Sequence, residues 1–366
     1  MAFSFGFAGD DIDIDDTDVN DTQDAFVSTG ISNSLPELVK PCKHNLDEWL
    51  SILPSQIFYN QLAINGTSIV IARREIIDIR TQLMAEDTAD HENEELIAGL
   101  EKGDLKPNFY EGGFKTWECS LDLAKLVANE NSIIESLDDS QTNVHIIELG
   151  SGTAVPSLTL FAHILNKTES SEGAPQRKIL FTCADYNDAV LRLVTLPNLL
   201  LTWHHIRQQS NAVTADQELA PVQPEEELDI TPELIEEFKN DLTRRGVVLN
   251  FISGAWSPEF VGMVFEACES QDFKTVLLAS ETIYSPASLK AFSETLVELL
   301  RRSSTSSAKS RAMIAAKKVY FGVGGGVDEF LAVLKDVSAS ELAVEQRLDV
   351  QSEGVGRVVL EVTPAN

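Results

Sequence analysis

The sequence predicts an α/β fold: a doubly wound, mostly parallel sheet of seven strands that ends in an antiparallel hairpin, preceded by an N-terminal extension. Three observations predict it. The run Ile146-Ile147-Glu148-Leu149 leads into Gly150-Ser151-Gly152-Thr153 and then a helical pattern from Pro156 to Leu165, which reads as strand, tight glycine turn, helix. Short apolar runs alternate with helical stretches from 144 to 317, the signature of parallel pairing. The last two runs have no helical stretch between them and should pair as a hairpin.

Taken in order, the expected strands are 144–149, 178–184, 247–252, 275–280, 311–317, 341–348 and 356–363. Thr231-Pro232 opens a helix with a capping hydroxyl and a proline in the first turn; Leu234, Ile235, Phe238 and Leu242 form its apolar stripe, and Gly246 stops it. Upstream, residues 1–34 carry a series of aspartates and few large apolar residues, so they read as a disordered acidic tail. Residues 35–110 read as an extension packing on the main domain, with a strand near 68–72, a helical or extended 76–79 and an acidic, loop-like 83–105. The main domain is 111–366, interrupted by an acidic insertion loop at 208–229 that should be disordered.

Composition limits the partners. With 366 residues, 43% of them hydrophobic, the chain can bury a large core. Fifty-eight acids against 28 bases give a formal charge of −30, which opposes direct nucleic-acid binding and favours a basic protein partner. Four scattered cysteines, with no C-x-x-C pair, argue against a zinc site or a disulfide scaffold, and His204-His205 reads as a helix-end feature. Neither a signal peptide nor an apolar run long enough for a membrane span is present, so a cytoplasmic location is expected. A nuclear share is allowed although Lys317-Lys318 is too short for an import signal. The chain is expected to act as a monomer.

The glycine turn indicates the ligand. A dinucleotide fingerprint needs a third glycine to seat a pyrophosphate, and Val155 stands there instead. A nucleoside without a pyrophosphate fits better, and S-adenosylmethionine is one. The second strand ends in Asp185-Tyr186-Asn187, where an acid accepts hydrogen bonds from ribose hydroxyls; helix capping is the competing role for Asp185.

Several strings together resemble a known family: Gly112-Gly113-Phe114-Lys115-Thr116-Trp117-Glu118-Cys119, Glu148-Leu149-Gly150-Ser151-Gly152, Asp185-Tyr186-Asn187, Thr195-Leu196-Pro197-Asn198, Ser253-Gly254-Ala255-Trp256, Ser280-Glu281-Thr282-Ile283-Tyr284 and Tyr320-Phe321-Gly322-Val323-Gly324-Gly325-Gly326. The set is similar to that of the protein-histidine N-methyltransferases, which are built on a Rossmann-like seven-strand sheet, and it spans roughly residues 40–363. Relatives commonly have Asp and Cys where this chain has Glu148 and Ser151. The resemblance implies S-adenosylmethionine as methyl donor and, as acceptor, a histidine of large-subunit ribosomal protein number three in the universal naming.

Methyl transfer to a neutral imidazole needs alignment and the right tautomer more than a strong base. Glu281, at the end of the fourth strand, is the expected acceptor for the far ring N–H, with helix capping as its competing role; Tyr284 is expected to wall or hydrogen-bond the ring, with core packing as the alternative. Glu118 and the backbone of Thr116, Trp117, Cys119 and Ser120 are expected at the methionine end of the cofactor, and Trp256, with Gly254 and Ala255, against the adenine. Glu148, Gly150, Gly152, Asp185, Tyr186 and Asn187 complete the cofactor set, with Ser280 near the sulfonium. The Gly322–Gly326 stretch reads as a mobile channel wall or, alternatively, a plain turn. A lysine methyltransferase on the same sheet and a non-catalytic chaperone for a basic ribosomal protein are the competing functions.

Overall fold

The computed structural model describes residues 12–13, 39–86, 92–101, 104, 111–167, 177–214, 226–266, 268, 272–304, 310–322, 324–351 and 354–365. Most of the acidic tail and the 215–225 part of the insertion lie outside the described residues.

In chain order the N-terminal elements are β1 (Ile12–Asp13), β2 (Cys42–His44), α1 (Leu46–Ser51), β3 (Gln56–Ala63), β4 (Val70–Arg74), α2 (Ile76–Glu86), α3 (Glu92–Glu101), β5 (Thr116–Trp117), α4 (Glu118–Ala128) and α5 (Asn131–Asp138). There follow β6 (Val144–Leu149), α6 (Val155–Leu165), β7 (Ile179–Asp185), α7 (Asp188–Val190), a π turn (Leu191–Thr195), α8 (Leu196–Thr214), β8 (Glu226–Asp229), α9 (Pro232–Arg245) and β9 (Val247–Ser253). The chain ends with α10 (Pro258–Glu266), β10 (Lys274–Ser280), α11 (Pro286–Ser303), β11 (Arg311–Lys317), α12 (Val327–Val337), β12 (Leu342–Val350) and β13 (Arg357–Pro364).

All seven expected strands form, in one sheet of order β12-β13-β11-β10-β6-β7-β9-β2. β11, β10, β6, β7 and β9 run parallel, and β12–β13 is the antiparallel hairpin at one edge. Both faces are covered, which is why these strands read as continuous apolar runs. Val144 and Ile146 of β6 enter one apolar layer with Leu158, Phe161, Leu199 and Trp203, whereas Ile147 and Leu149 enter the other with Phe260, Phe292, Leu296 and Phe330. From β6 the chain winds out through β7 to β9, then returns to β10 on the other side of β6. The topological switch point is therefore at β6, where open α/β sheets bind ligands outside the carboxyl ends of their strands.

Three features depart from the sequence reading. An eighth strand, β2, pairs antiparallel with β9 and carries the extension onto the sheet edge. The 83–105 stretch, expected to be loop, holds the end of α2 and all of α3, whose Leu96, Ile97 and Leu100 pack with Phe114 and Val194. The expected 208–229 loop is shorter, because α8 runs to Thr214 and Glu226–Asp229 joins β3 and β4 in a small antiparallel sheet. His204-His205 consequently lies inside a helix, each ring bonded to a glutamine one turn on. Of the tail, Ile12–Asp13 pairs in parallel with Thr116–Trp117. No helix among the described residues is long and apolar enough to cross a membrane.

Candidate active site

The glycine turn closes β6 against β7 and α6. Ser151 donates its N–H to the Ala184 carbonyl at 2.8 Å. Glu148 is 0% exposed and accepts the Ser157 N–H at 3.0 Å in the first turn of α6; burial pushes its carboxyl up to about 8. Gly150 and Gly152 have φ of +66° and +50°, the left-handed region that favours glycine. Their missing side chains admit protein. A Cβ on Gly150 would lie 2.7 Å from Thr282 Cγ2, and one on Gly152 would lie 3.2 Å from the Gly113 Cα. The loops after β10 and before β5 thus close on the turn. The Thr195–Asn198 string buckles it from behind: Thr195 Oγ1 donates to the Gly152 carbonyl at 2.7 Å and Asn198 Nδ2 to the Thr153 carbonyl at 3.0 Å.

Asp185 ends β7, buried. Its Oδ2 accepts the Gly152 N–H at 3.0 Å and its Oδ1 the Asn187 N–H at 3.3 Å, while burial pushes the carboxyl up to about 7. The residue at the cap of α7 is Asn187, not Asp185, and its Oδ1 accepts the Glu111 N–H at 3.1 Å. Tyr186 is half-buried, and its carbonyl accepts the Gly254 N–H at 3.2 Å. Gly254 corrects an expectation. The room its missing Cβ leaves is filled by the extension, since a Cβ there would lie 2.6 Å from the Lys40 carbonyl oxygen, and Ala255 donates its N–H to Val39 at 2.9 Å. Trp256 is half-buried, edge-on to Phe260 with centroids 5.1 Å apart.

The 111–120 segment crosses these strand ends. Thr116 is buried; its Oγ1 accepts from Arg73 at 2.8 Å and bonds Thr153 Oγ1 at 3.1 Å, which ties β5 to the glycine turn. Glu118 pairs with Arg357 at 3.3 Å, a partner the sequence reading did not supply. Ser120 Oγ donates to the Trp117 carbonyl at 2.6 Å, and Cys119 is buried with its thiol pushed well up by burial. Sequence reasoning missed Asp104, for no local pattern marks it. It is 0% exposed, and its Oδ2 accepts three N–H groups: Gly113 at 3.0 Å, Lys115 at 2.9 Å and the Trp117 indole at 2.9 Å.

Ser280 closes β10, half-buried, and the next residue departs from strand geometry. Glu281 has φ of +57° and is only 4% exposed. Its Oε1 accepts the Cys119 N–H at 3.2 Å, so it caps α4, which has no capping side chain of its own. Burial pushes this carboxyl up, opposed by Lys317. Asp104 and Ala154 also carry positive φ, so strained backbone gathers around this crevice. The Tyr284 hydroxyl donates to the Glu111 carboxylate, and its ring lies 6.2 Å from Trp117 and 6.3 Å from Tyr320. Burial and Glu111 raise its phenol above the ordinary range. The glycine stretch after Tyr320 is a hydrogen-bonded turn, with the Tyr320 N–H on the Gly325 carbonyl at 3.1 Å. It presses on the loop after β10, because a Cβ on Gly325 would lie 2.1 Å from the Tyr284 carbonyl oxygen.

The crevice fits a nucleoside cofactor bearing a positive charge. Five buried side-chain oxygens around the turn and the loop after β10, Glu148 Oε1, Ser151 Oγ, Ser157 Oγ, Glu281 Oε2 and Thr282 Oγ1, have no hydrogen-bond partner within the protein. Three acids, Glu148, Asp185 and Asp104, are buried, and beyond burial Asp104 pushes Asp185 up further as Asp185 does Glu148.

Comparison with known proteins agrees. No family model matches the chain. It is 31% identical over 383 residues to histidine protein methyltransferase 1 of Saccharomyces cerevisiae, covering 98% of both chains. To the protein of the same name from Schizosaccharomyces pombe it is 32% identical, covering 100% of this chain and 95% of the relative. Among solved structures, the Synechocystis magnesium protoporphyrin IX methyltransferase with bound S-adenosylhomocysteine is 10% identical over 79% of this chain and 94% of that one, with a TM-score of 0.32. Full-length identity above 30% to two histidine protein methyltransferases, on a sheet whose switch point carries this crevice, shows that the chain belongs to the S-adenosylmethionine-dependent histidine protein methyltransferase family.

Proposed function

We propose that the protein methylates an imidazole nitrogen of one histidine in large-subunit ribosomal protein number three. Family membership gives the histidine. The charge of −30 supports a basic acceptor, which it would steer toward the crevice. A cytoplasmic enzyme with a nuclear share, acting as a monomer, suits such an acceptor. S-adenosylmethionine, when bound, supplies the methyl group on a cationic sulfur.

The protein's own residues would do the rest. The glycine turn, Asp185 and Trp256 would hold the nucleoside. Trp117 and Tyr284 would wall the acceptor ring. Tyr284 serves as a donor, since its proton is held toward Glu111 and its acidity is suppressed. No strong base is needed for an imidazole, which is mostly neutral at pH 7, whereas a lysine, with a pKa of about 10, would have to be deprotonated first. The test is incubation with methyl-labelled S-adenosylmethionine and purified ribosomal protein number three, followed by amino-acid analysis. Labelled methylhistidine is the expected product; label in lysine, or none, overturns the reading.

A further inference from the structure

We infer that Glu111, rather than Glu281, is the carboxylate that receives the far ring N–H of the acceptor histidine, an assignment that rests on the proposed histidine methylation. Its position carries the argument. In the sheet, β6 lies between β10 and β7. Glu111 is fixed from both flanking strands: its carboxylate accepts the hydroxyl of Tyr284, after β10, and its N–H goes to Asn187, after β7. It therefore spans the carboxyl end of β6, over the glycine turn, and a Cβ on Gly113, two residues on, would lie 3.1 Å from the Gly152 Cα. This is the crevice where open α/β sheets bind their ligands.

Access separates the two acids. The acceptor is a side chain of another protein and enters from solvent. Glu281 is 4% exposed, with Oε1 committed to the start of α4 and Oε2 buried without a partner, so a side chain entering from solvent meets neither oxygen first. Glu111 is half-buried, so it is the more accessible of the two, and its carboxylate is placed at the crevice by the Tyr284 hydroxyl. The Tyr284 hydroxyl occupies one carboxylate oxygen and orients the group, and the carboxylate retains lone pairs for a second donor.

In the transfer, the ring nitrogen's lone pair forms the bond to the methyl carbon as the carbon–sulfur bond breaks, and that bond's electron pair stays on sulfur. The sulfonium becomes a neutral thioether and the ring becomes cationic. Glu111 stabilises that new charge through the far N–H and takes its proton, which then passes to water. The charge on the ring exists only in and after the transition state, so the carboxylate acts on rate more than on cofactor binding.

The test compares Glu111→Gln, Glu111→Asp and Tyr284→Phe with the parent. It uses the full chain, purified ribosomal protein number three and single-turnover methyl transfer. Cofactor affinity is measured calorimetrically, and acceptor affinity in the presence of S-adenosylhomocysteine. Glu111→Gln should slow transfer on the order of 100-fold with cofactor affinity unchanged, Glu111→Asp should restore part of the rate, and Tyr284→Phe, which keeps the charge, should lose much less. Parent-like transfer by Glu111→Gln overturns the assignment, as does a cofactor affinity that falls in step with the rate. Equal losses in Glu111→Gln and Tyr284→Phe reduce Glu111 to a support for Tyr284 and also overturn it. If the parent itself makes no methylhistidine, the histidine reading fails and this assignment with it; if the parent does and Glu111→Gln keeps pace, only the assignment fails.

Discussion

Glu281 accepts the backbone N–H of Cys119 at 3.2 Å, so the acid that follows β10 caps the helix that starts directly after β5. A carboxylate at a helix N-terminus satisfies an orphan donor and complements the helix dipole. The contact spans 162 positions of sequence and joins the Ser280–Tyr284 and Gly112–Cys119 strings into one structure.

A cap can be exchanged for another acceptor. Glu281→Gln keeps an oxygen for Cys119 and should melt near the parent temperature with transfer largely retained. Glu281→Ala removes the acceptor and should cost about 1 kcal/mol or more, with a matching fall in melting temperature. A Glu281→Gln protein that is stable but inactive would return the ring-binding role to Glu281.

The buried acids give stability a defined pH dependence. Glu148 is pushed up to about 8 and Asp185 to about 7, against about 4 in an unfolded chain. Between about pH 5 and pH 8 the folded protein holds protons that the unfolded chain has released. Stability therefore falls as pH rises through that window, by at most about 1.4 kcal/mol per pH unit for each group. Cofactor-free protein should melt progressively lower from pH 5 to 8, and Glu148→Gln, neutral throughout, should flatten the slope. A melting temperature that rises across the window would contradict both assignments. Acids held low against their burial, Glu130 by the Ser132 hydroxyl and Arg347, and Asp241 by the Trp203 indole and Arg245, act below that range.

Asp104 organises the segment above the crevice. Asp104→Ala would leave three N–H groups without their acceptor, at about 1–3 kcal/mol for each that stays buried. Trp117→Phe removes one donor and keeps the ring packing, so its cost should be near 1 kcal/mol. Chemical denaturation of both variants checks the ordering. Equal costs would mean that the indole is the one donor of the three that matters.

The parallel strands were legible because burial on both faces removes alternation and leaves runs such as Val144–Leu149 and Lys274–Ser280. Thr231, Pro232 and Gly246 marked the ends of α9 through local chemistry alone. What escaped is tertiary. β2 has three residues, none of them buried, and β8 is acidic with only Leu228 buried, so neither shows a pattern until its partner strand is in place. α3 hides its apolar stripe among glutamates. In the site, the glycine turn and Asp185 follow from a local motif. The Glu111–Tyr284 pair, 173 positions apart, and the Asp104 knot depend on contacts that no spacing encodes.

The two facing glycines give the strictest test of the crevice. Gly113 has φ of +110°, which side chains rarely adopt, and a Cβ there would lie 2.9 Å from Val190 Cγ1 and 3.1 Å from the Gly152 Cα. Gly152, at +50°, lies in the ordinary left-handed well, where alanine costs about 1 kcal/mol, but its Cβ would press on the Gly113 backbone at 3.2 Å. Gly152→Ala should therefore stay folded while pushing the 111–117 segment off the turn. We expect cofactor affinity to fall about tenfold, which is about 1.4 kcal/mol, with a melting temperature only a few degrees lower. Gly113→Ala combines the worse backbone angle with the closer contact and should lose more stability. Gly152→Val adds β-branching that the left-handed well disfavours, and should lose both fold stability and binding. Undiminished cofactor affinity in folded Gly152→Ala would show that the approach of Gly113 to the turn is a packing feature without a part in binding.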